Sequence, residues 1–362
     1  MADPTPAEQV EEAPKAPEAP PLFPDGLPVE LQELPQGLAS LSAQSCNGCH
    51  YAVHDDWSAS AHAGASAEEP FRSALQASGD SPLFASCHLP LANQQAHLVK
   101  RYAGGPLSSA ELVDNPSWDA TLAAEGVTCA SCHVREGTVV GTRAAPNAPH
   151  PVAVSEELGT SEFCASCHQL SWEGAEQPLY DTWGEWAASG YQAAGVRCQD
   201  CHMPPTSGMV TASRFAGHAN HGWVADPSRA LTVLVDLPPS GLVRGEPTPV
   251  TLTLMNTGAG HAFPTGSPFS WVRVELAVQV EGEDPAPALW STELRRQIAE
   301  EPPYTMSGDS RLPAGGTAVH ELELLLDQKS PAGNGALEVR FVRVTADHEE
   351  LLFSRELPAR IY

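Results

Sequence analysis

Four times in this chain, two cysteines stand two residues apart with a histidine directly after the second. The runs are Cys46–His50, Cys129–His133, Cys164–His168 and Cys198–His202. With nine Cys and fourteen His in 362 residues, a shuffled chain would carry about 0.01 such runs. The spacing is that of covalent haem c attachment: two thiols add across the vinyl groups of one porphyrin, and the adjacent histidine becomes an axial ligand of the iron. Cys46, Cys49, Cys129, Cys132, Cys164, Cys167, Cys198 and Cys201 are therefore the attachment residues, and His50, His133, His168 and His202 the proximal ligands.

Cys-x-x-Cys also opens zinc ribbons. Those need two pairs close together and no fixed histidine after the second Cys, whereas here the histidine follows every time. A thioredoxin-like redox pair needs a βαβ setting that no run has. The ninth cysteine, Cys87, is followed by His88, so no pair remains for a disulfide framework. In Ser81-Pro-Leu-Phe-Ala-Ser-Cys-His-Leu-Pro90, Phe84 stands where the first cysteine of a full run would be. One thioether and His88 can still hold a haem; the alternative is a thiol beside a surface histidine. Cys87-His-Leu-Pro90 resembles Cys201-His-Met-Pro204, which favours a fifth, singly attached haem.

The formal charge is −26, from 45 acids against 19 bases, and only three of the bases are lysines. Such a surface repels nucleic acid and suits basic redox partner proteins or cationic mineral surfaces, although a generally acidic solvated surface reads the same way. Bacterial haem c attachment takes place outside the cytoplasm, so a periplasmic or extracellular, cell-surface location is expected. Residues from Met1 onward show neither the basic start nor the apolar core of a signal peptide, which reads as a mature or engineered start. No stretch approaches the length of a membrane span, so no transmembrane segment is expected.

Texture divides the chain into three. Residues 1–38, rich in Pro, Ala and Glu, read as a disordered arm, a composition that would also suit a surface tether. Residues 39–228 hold every cysteine and little regular pattern; long loops argue against a compact fold unless porphyrin replaces side-chain core. Short helices are expected around His54–Ala63, Leu91–Arg101, Ser117–Glu125 and Tyr180–Ala188. An internal repeat supports this organisation: Gly126-Val-Thr-Cys-Ala-Ser-Cys-His133 matches Gly195-Val-Arg-Cys-Gln-Asp-Cys-His202. Trp57-Ser-Ala-Ser-Ala-His62 likewise echoes Trp186-Ala-Ala-Ser-Gly-Tyr191. Residues 229–362 alternate or run apolar at Leu231–Leu237, Val250–Met255, Trp271–Val278, Val319–Leu326 and Leu337–Val344. That pattern predicts an immunoglobulin-like β-sandwich. The fold class expected is α+β: a loop-rich, mainly helical multihaem domain followed by that sandwich.

A low-spin haem needs a second strong ligand, and an open position invites substrate instead. His62 closes the Trp-x-x-Ser-x-His run. His150 sits on a stiff Pro-His-Pro loop. His261 lies in Asn256-Thr-Gly-Ala-Gly-His-Ala-Phe-Pro-Thr-Gly266, whose glycines permit close backbone approach. His218 and His221 compete for one role, taken here by His218, and His97 follows the odd motif on an expected helix. The distal set is thus His62, His97, His150, His218 and His261. His54, His320 and His348 read as non-ligands, and Met209 as packing.

Glu125-Gly-Val-Thr-Cys-Ala-Ser-Cys-His133, Glu162-Phe-Cys-Ala-Ser-Cys-His-Gln169, Val196-Arg-Cys-Gln-Asp-Cys-His-Met-Pro204 and Gly260-His-Ala-Phe-Pro-Thr-Gly266 resemble the multihaem c-type cytochromes related to the nitrification tetrahaem cytochrome. The resemblance spans about residues 44–270. It implies a helical, loop-rich haem domain with closely stacked haem pairs, and His62, His150, His218 and His261 as distal ligands. Phe84 departs from the family, which usually has Cys there. Members mostly shuttle electrons, and a few related proteins reduce or oxidise small nitrogen or sulfur compounds. The expected function is accordingly an electron carrier without catalytic residues of its own, binding four haems c through the full runs and a fifth at Cys87-His88. Two alternatives stand beside it: an oxidoreductase with one five-coordinate haem, and a subunit of an extracellular cytochrome assembly.

Overall fold

The apolar alternation that begins near residue 229 produces the largest core of the protein. The structure is a computed structural model and describes residues 29–105, 107–172, 174–283 and 286–362. Strands Trp290–Leu294, Trp271–Val280, Gly333–Val344 and Glu349–Ile361 form one antiparallel sheet in that order. Thr317–Leu324, Thr248–Asn256 and Leu231–Asp236 form another. Alternate side chains point inward, as the two-residue period of a strand requires. Leu252 and Leu254 from one sheet and Val274, Leu276, Val339 and Phe341 from the other are fully buried in a single apolar cluster. Phe341 also stacks on Phe353 with ring centres 4.3 Å apart. Phe341→Ala is expected to cost about 3–5 kcal/mol of stability in a denaturant melt of the haem-loaded protein. A loss below about 1 kcal/mol would mean the core closes over the gap.

All five strands read from alternation are present. Glu349–Ile361 was not legible, because Glu349, Glu350, Arg355, Glu356 and Pro358 mask the pattern. The strand lies at the edge of the four-stranded sheet, pairing with Gly333–Val344 along its length and with Leu242 only at its end, so that charge and proline are tolerated.

The chain packs as two compact units: one runs up to Phe163 and includes Pro205–Trp223, the other comprises Cys164–Pro204 and Val224–Tyr362. Their boundaries fall inside the cysteine-rich region, not where the composition changes. In the first unit the helices are short, from Ala61–Gly64 to Glu69–Ala77. Hairpins join them, one of them pairing Pro205–Thr211 with Arg214–Ala219. Its apolar clusters are small: Val29, Leu91, Leu122, Ala130 and Val134 in one, Val140 and Ala153 in another, and Phe71, Ala85 and Leu89 in a third.

Two expectations change here. Leu91–Arg101 is not a helix: a 3-10 turn at Ala92–Gln94 leads into strand His97–Arg101, which pairs with Glu111–Asp114. The expected arm lies outside the described residues as far as residue 28. From Val29 on it is packed, because Val29 is buried and its backbone bonds Pro90 and Ala92. The helix expected over His54–Ala63 appears as two, Tyr51–Ser58 and Ala61–Gly64, and the remaining two appear shortened, as Ala120–Ala123 and Thr182–Ala187.

Candidate haem-binding sites

Two of the runs are single helical turns, Cys129–His133 and Cys198–His202. A third ends the helix Ser161–His168, and Cys46 lies in the helix Ala43–Asn47. One turn places residues three and four apart on the same face, so both thiols and the histidine address one ligand. The imidazoles are oriented from behind. Nδ1 lies 2.6 Å from the carbonyl of Val210 at His50, 2.8 Å from Ala65 at His88, 2.9 Å from Val140 at His133 and 3.0 Å from Val224 at His202. A carbonyl only accepts, so Nδ1 carries the proton and Nε2 presents its lone pair, the arrangement a metal-bound histidine needs. His88, with one cysteine beside it, is held in the same way as the histidines of three complete runs, His50, His133 and His202.

A metal–imidazole nitrogen bond is about 2 Å and the ring centre lies roughly 1 Å beyond it, so two imidazoles sharing one metal have centres roughly 6 Å apart. Three histidine pairs stand at that separation: His50 and His150 at 6.4 Å, His133 and His221 at 6.3 Å, and His202 and His261 at 6.2 Å. His221 and His261 also have Nδ1 engaged, by the carbonyls of Ala219 and Ala262 at 2.8 and 2.9 Å. Burial holds His133, His221 and His261 below the ordinary imidazole range, His221 down to about 4, with neighbouring His133 adding to its shift. All three are therefore neutral at pH 7, the ligating form. The loop of His150 lies against Gly37, where a Cβ would come 2.3 Å from the carbonyl oxygen of Pro149.

Of the two competing histidines, His221 is the one whose ring stands at that separation from His133. Nε2 of His218 bonds Oδ2 of Asp56 at 3.0 Å, which engages the nitrogen a ligand would offer. The same oxygen accepts from the backbone N–H of His221 at 3.3 Å, so Asp56 also orients the neighbouring loop. His97 stands 3.4 Å from Asp114 across its hairpin. The ring of His62 meets Trp223 edge-on at 4.3 Å. His88 lies flat on Phe71, with centres 4.1 Å apart, and Phe71 is in turn nearly parallel to Phe84.

The sequence repeat has a structural counterpart. The indole N–H of Trp57 donates to the carbonyl of Val127, and that of Trp186 to Val196, at 2.8 and 2.9 Å. Val127 N–H returns a bond to His62, and Val196 N–H to Tyr191. Each tryptophan therefore pins the backbone two residues ahead of a haem cysteine, and His62 and Tyr191 hold equivalent positions. Gly126 is needed in the first copy: its φ is +61° and a Cβ would lie 2.6 Å from the His62 carbonyl oxygen.

Three carboxylates were not legible as site residues. Besides Asp56, Glu125 accepts from Ser42 Oγ, from Ala43 N at 2.8 Å and from Thr128 Oγ1 at 2.6 Å. It ties the helix of Cys46 to the turn of Cys129. Glu185 accepts from Ala262 N at 3.1 Å and Thr265 Oγ1 at 2.7 Å, and pairs with Arg311 at 2.7 Å. That clamp fixes the loop that sets His261 opposite His202. Among the described residues, no three His, Cys, Asp or Glu side chains cluster to hold a bare metal ion. A porphyrin supplies four nitrogens itself, so the paired imidazoles suffice for its iron and the donor set fits haem.

A family model described as the NapC/NirT cytochrome c family, N-terminal region, matches residues 138–225. Among solved structures, a penta-haem cytochrome c552 from Thermochromatium tepidum is similar in fold. It has 18% identity and a TM-score of 0.61, covering 90% of this chain and 100% of that one. The C-terminal domain of wzt, at 11% identity and a TM-score of 0.24, covers 37% of this chain and 74% of that one. A Niemann-Pick type C2 protein from Japanese carpenter ant, at 14% and 0.21, covers 36% and 89%. No curated protein matches the sequence.

Proposed function

We propose that this chain, a multihaem c-type cytochrome, is an extracytoplasmic electron carrier holding five haems c. Four are held by the complete Cys-x-x-Cys-His runs and one by Cys87 and His88. The observation that carries the reading is the three histidine pairs at 6.2–6.4 Å. Two imidazoles at each of these three sites leave no position for substrate there, and a saturated site suits electron transfer. When bound, haem supplies the one-electron chemistry. The chain's residues attach it, orient His50 and both imidazoles of the His133–His221 and His202–His261 pairs through Nδ1, and set neighbouring sites close together through Glu125. His150, His221 and His261 act as distal ligands in this reading, and His62 is kept as one. The penta-haem content of the similar Thermochromatium protein supports the count of five.

The strand order of the second unit supports reading residues 229–362 as an immunoglobulin-like sandwich, a three-stranded sheet facing a four-stranded one. Its loop supplies His261. The acidic surface suits basic redox partner proteins outside the cytoplasm. No helix among the described residues is long and apolar enough to cross a membrane.

One observation favours a second reading. Among the described residues, the aromatic neighbour of His88 is Phe71 and no imidazole packs against it. A haem there with an open position would make the protein an oxidoreductase for a small nitrogen or sulfur compound. Intact mass and ferric EPR test both points. The expected result is five haem masses on the denatured chain and low-spin signals throughout. Four masses would remove the haem at Cys87. Five masses with a high-spin fraction that binds nitrite or cyanide would transfer the function to the second reading.

A further inference from the structure

We propose that Arg135 raises the reduction potential of the haem at Cys129–His133, so that an electron entering this part of the chain comes to rest there. The inference rests on the multihaem reading above and sets one site apart from its neighbours. Arg135 is 2% exposed and lies two residues beyond His133. It belongs to the short strand Val134–Arg135, which pairs with Thr138–Gly141, the strand whose Val140 carbonyl holds His133. Its guanidinium folds back on the haem-attachment turn and donates to the carbonyls of Ser131 at 2.6 Å, Ala130 at 3.4 Å and Val134. Carbonyls near the end of a helical turn lack N–H partners within it, and a cation there meets the negative end of the peptide dipoles. The same contacts fix a full positive charge beside the residues that hold one porphyrin.

The other runs have no charge in this place. Two residues after the histidine stand Ala52, Leu170 and Pro204, and Pro90 follows His88 at the same interval. Arg197, which precedes Cys198, is exposed and matched by Asp200 at 2.7 Å, so water and the carboxylate screen it. Arg135 is shielded from water, where a charge acts more strongly on its surroundings. Burial pushes the Cys132 thiol up to about 11 against the opposing pull of Arg135; burial, then His50 and Arg135, hold His133 low. Both an attachment thiol and the proximal imidazole therefore feel this charge. Two carboxylates bear on the balance. Glu157 acts on Arg135 and offsets part of its charge. Glu125 acts on Cys129 and Cys46 alike, so it lowers both sites without separating them. Iron(III) haem carries one positive charge more than iron(II) haem, so a buried cation favours the reduced form. Removing Arg135 leaves Glu157 uncompensated, and both changes lower the potential.

The test is an optically monitored potentiometric titration of the full haem-loaded chain, with intact mass and ferric EPR checking haem content and ligation in every variant. Compared are the unmodified chain, Arg135→Met, Arg135→Lys, Glu157→Gln and, as control, Arg343→Met at the exposed Arg343–Glu350 pair. In Arg135→Met one component is expected to lose at least tenfold in its reduction equilibrium, a fall of about 59 mV for one electron, with the others moving less. Arg135→Lys keeps the charge and should fall markedly less. Glu157→Gln should move the same component upward, and the control should move none. Adding Arg135→Met to His221→Ala, whose high-spin haem is the one at His133, reads that site separately. An unmoved component in fully loaded Arg135→Met overturns the proposal, as does an equal fall in Arg135→Lys, which would make the role structural. If Arg135→Met binds fewer haems, Glu157→Gln decides: a rise supports the tuning role, and no rise overturns it. A failure of the multihaem reading shows separately, as missing haem mass on the unmodified chain.

Discussion

Produced without haem attachment, the chain is expected to keep a folded β region and lose ordered structure through most of its cysteine-rich part. The physical reason is the distribution of apolar burial. The cluster formed by the two sheets draws on Leu231, Leu252, Leu276, Leu337, Phe341 and many others. The clusters of the first unit contain two to five residues each. At about 25 cal/mol per Å² of buried apolar surface, clusters that small do not offset a backbone ordering cost of roughly 1–2 kcal/mol per residue. Porphyrin surface has to make up the difference. Limited proteolysis followed by mass spectrometry should cut freely between residues 39 and 163 and spare 231–361. The segment 178–191 should be cut later, because Arg296 holds the carbonyls of Pro178 and Leu179 and Glu185 grips the loop after His261. Uniform protection of the haem-free chain would show that the side-chain clusters suffice alone.

His221→Ala should convert one haem to a high-spin or water-ligated form, about one-fifth of the haem signal if five are bound, whereas His218→Ala should leave every haem low-spin. The difference rests on Asp56. Its carboxylate engages Nε2 of His218 and accepts the His221 backbone N–H, and the His221 ring is the one 6.3 Å from His133. His150→Ala and His261→Ala should each act like His221→Ala. EPR of the ferric variants reads the outcome directly. A high-spin signal from His218→Ala with none from His221→Ala would restore the ligand first expected from sequence.

Some of this site was legible from the sequence and some was not. The attachment cysteines and adjacent histidines could be read because the chemistry is local: one helical turn carries both thiols and the proximal imidazole. The repeated Trp-x-x-Ser motif was also visible as a pattern. That Trp57 reaches Val127 across 70 residues while Trp186 reaches Val196 across only ten was not, because a hydrogen bond depends on position in space and not on spacing along the chain. His221 was passed over for His218 for a similar reason. Two histidines three apart look equivalent until a distant aspartate engages one of them. Glu125 and Glu185 looked like ordinary surface acids in a chain of charge −26.

By itself, then, the sequence determined the four Cys-x-x-Cys-His runs, and with them where each porphyrin is proposed to be anchored and which imidazole is proposed to meet it first. Those are properties of five contiguous residues. It also determined that an alternating apolar segment follows, since the strand period is written in the residues that must be buried. Only the tertiary structure decided which second histidines stand about 6 Å from His50, His133 and His202, which carboxylates hold the loops in place, and that an edge strand rich in charge and carrying Pro358 completes the four-stranded sheet. Each of these depends on a distance of a few ångströms between residues far apart in the chain, and folding sets that distance.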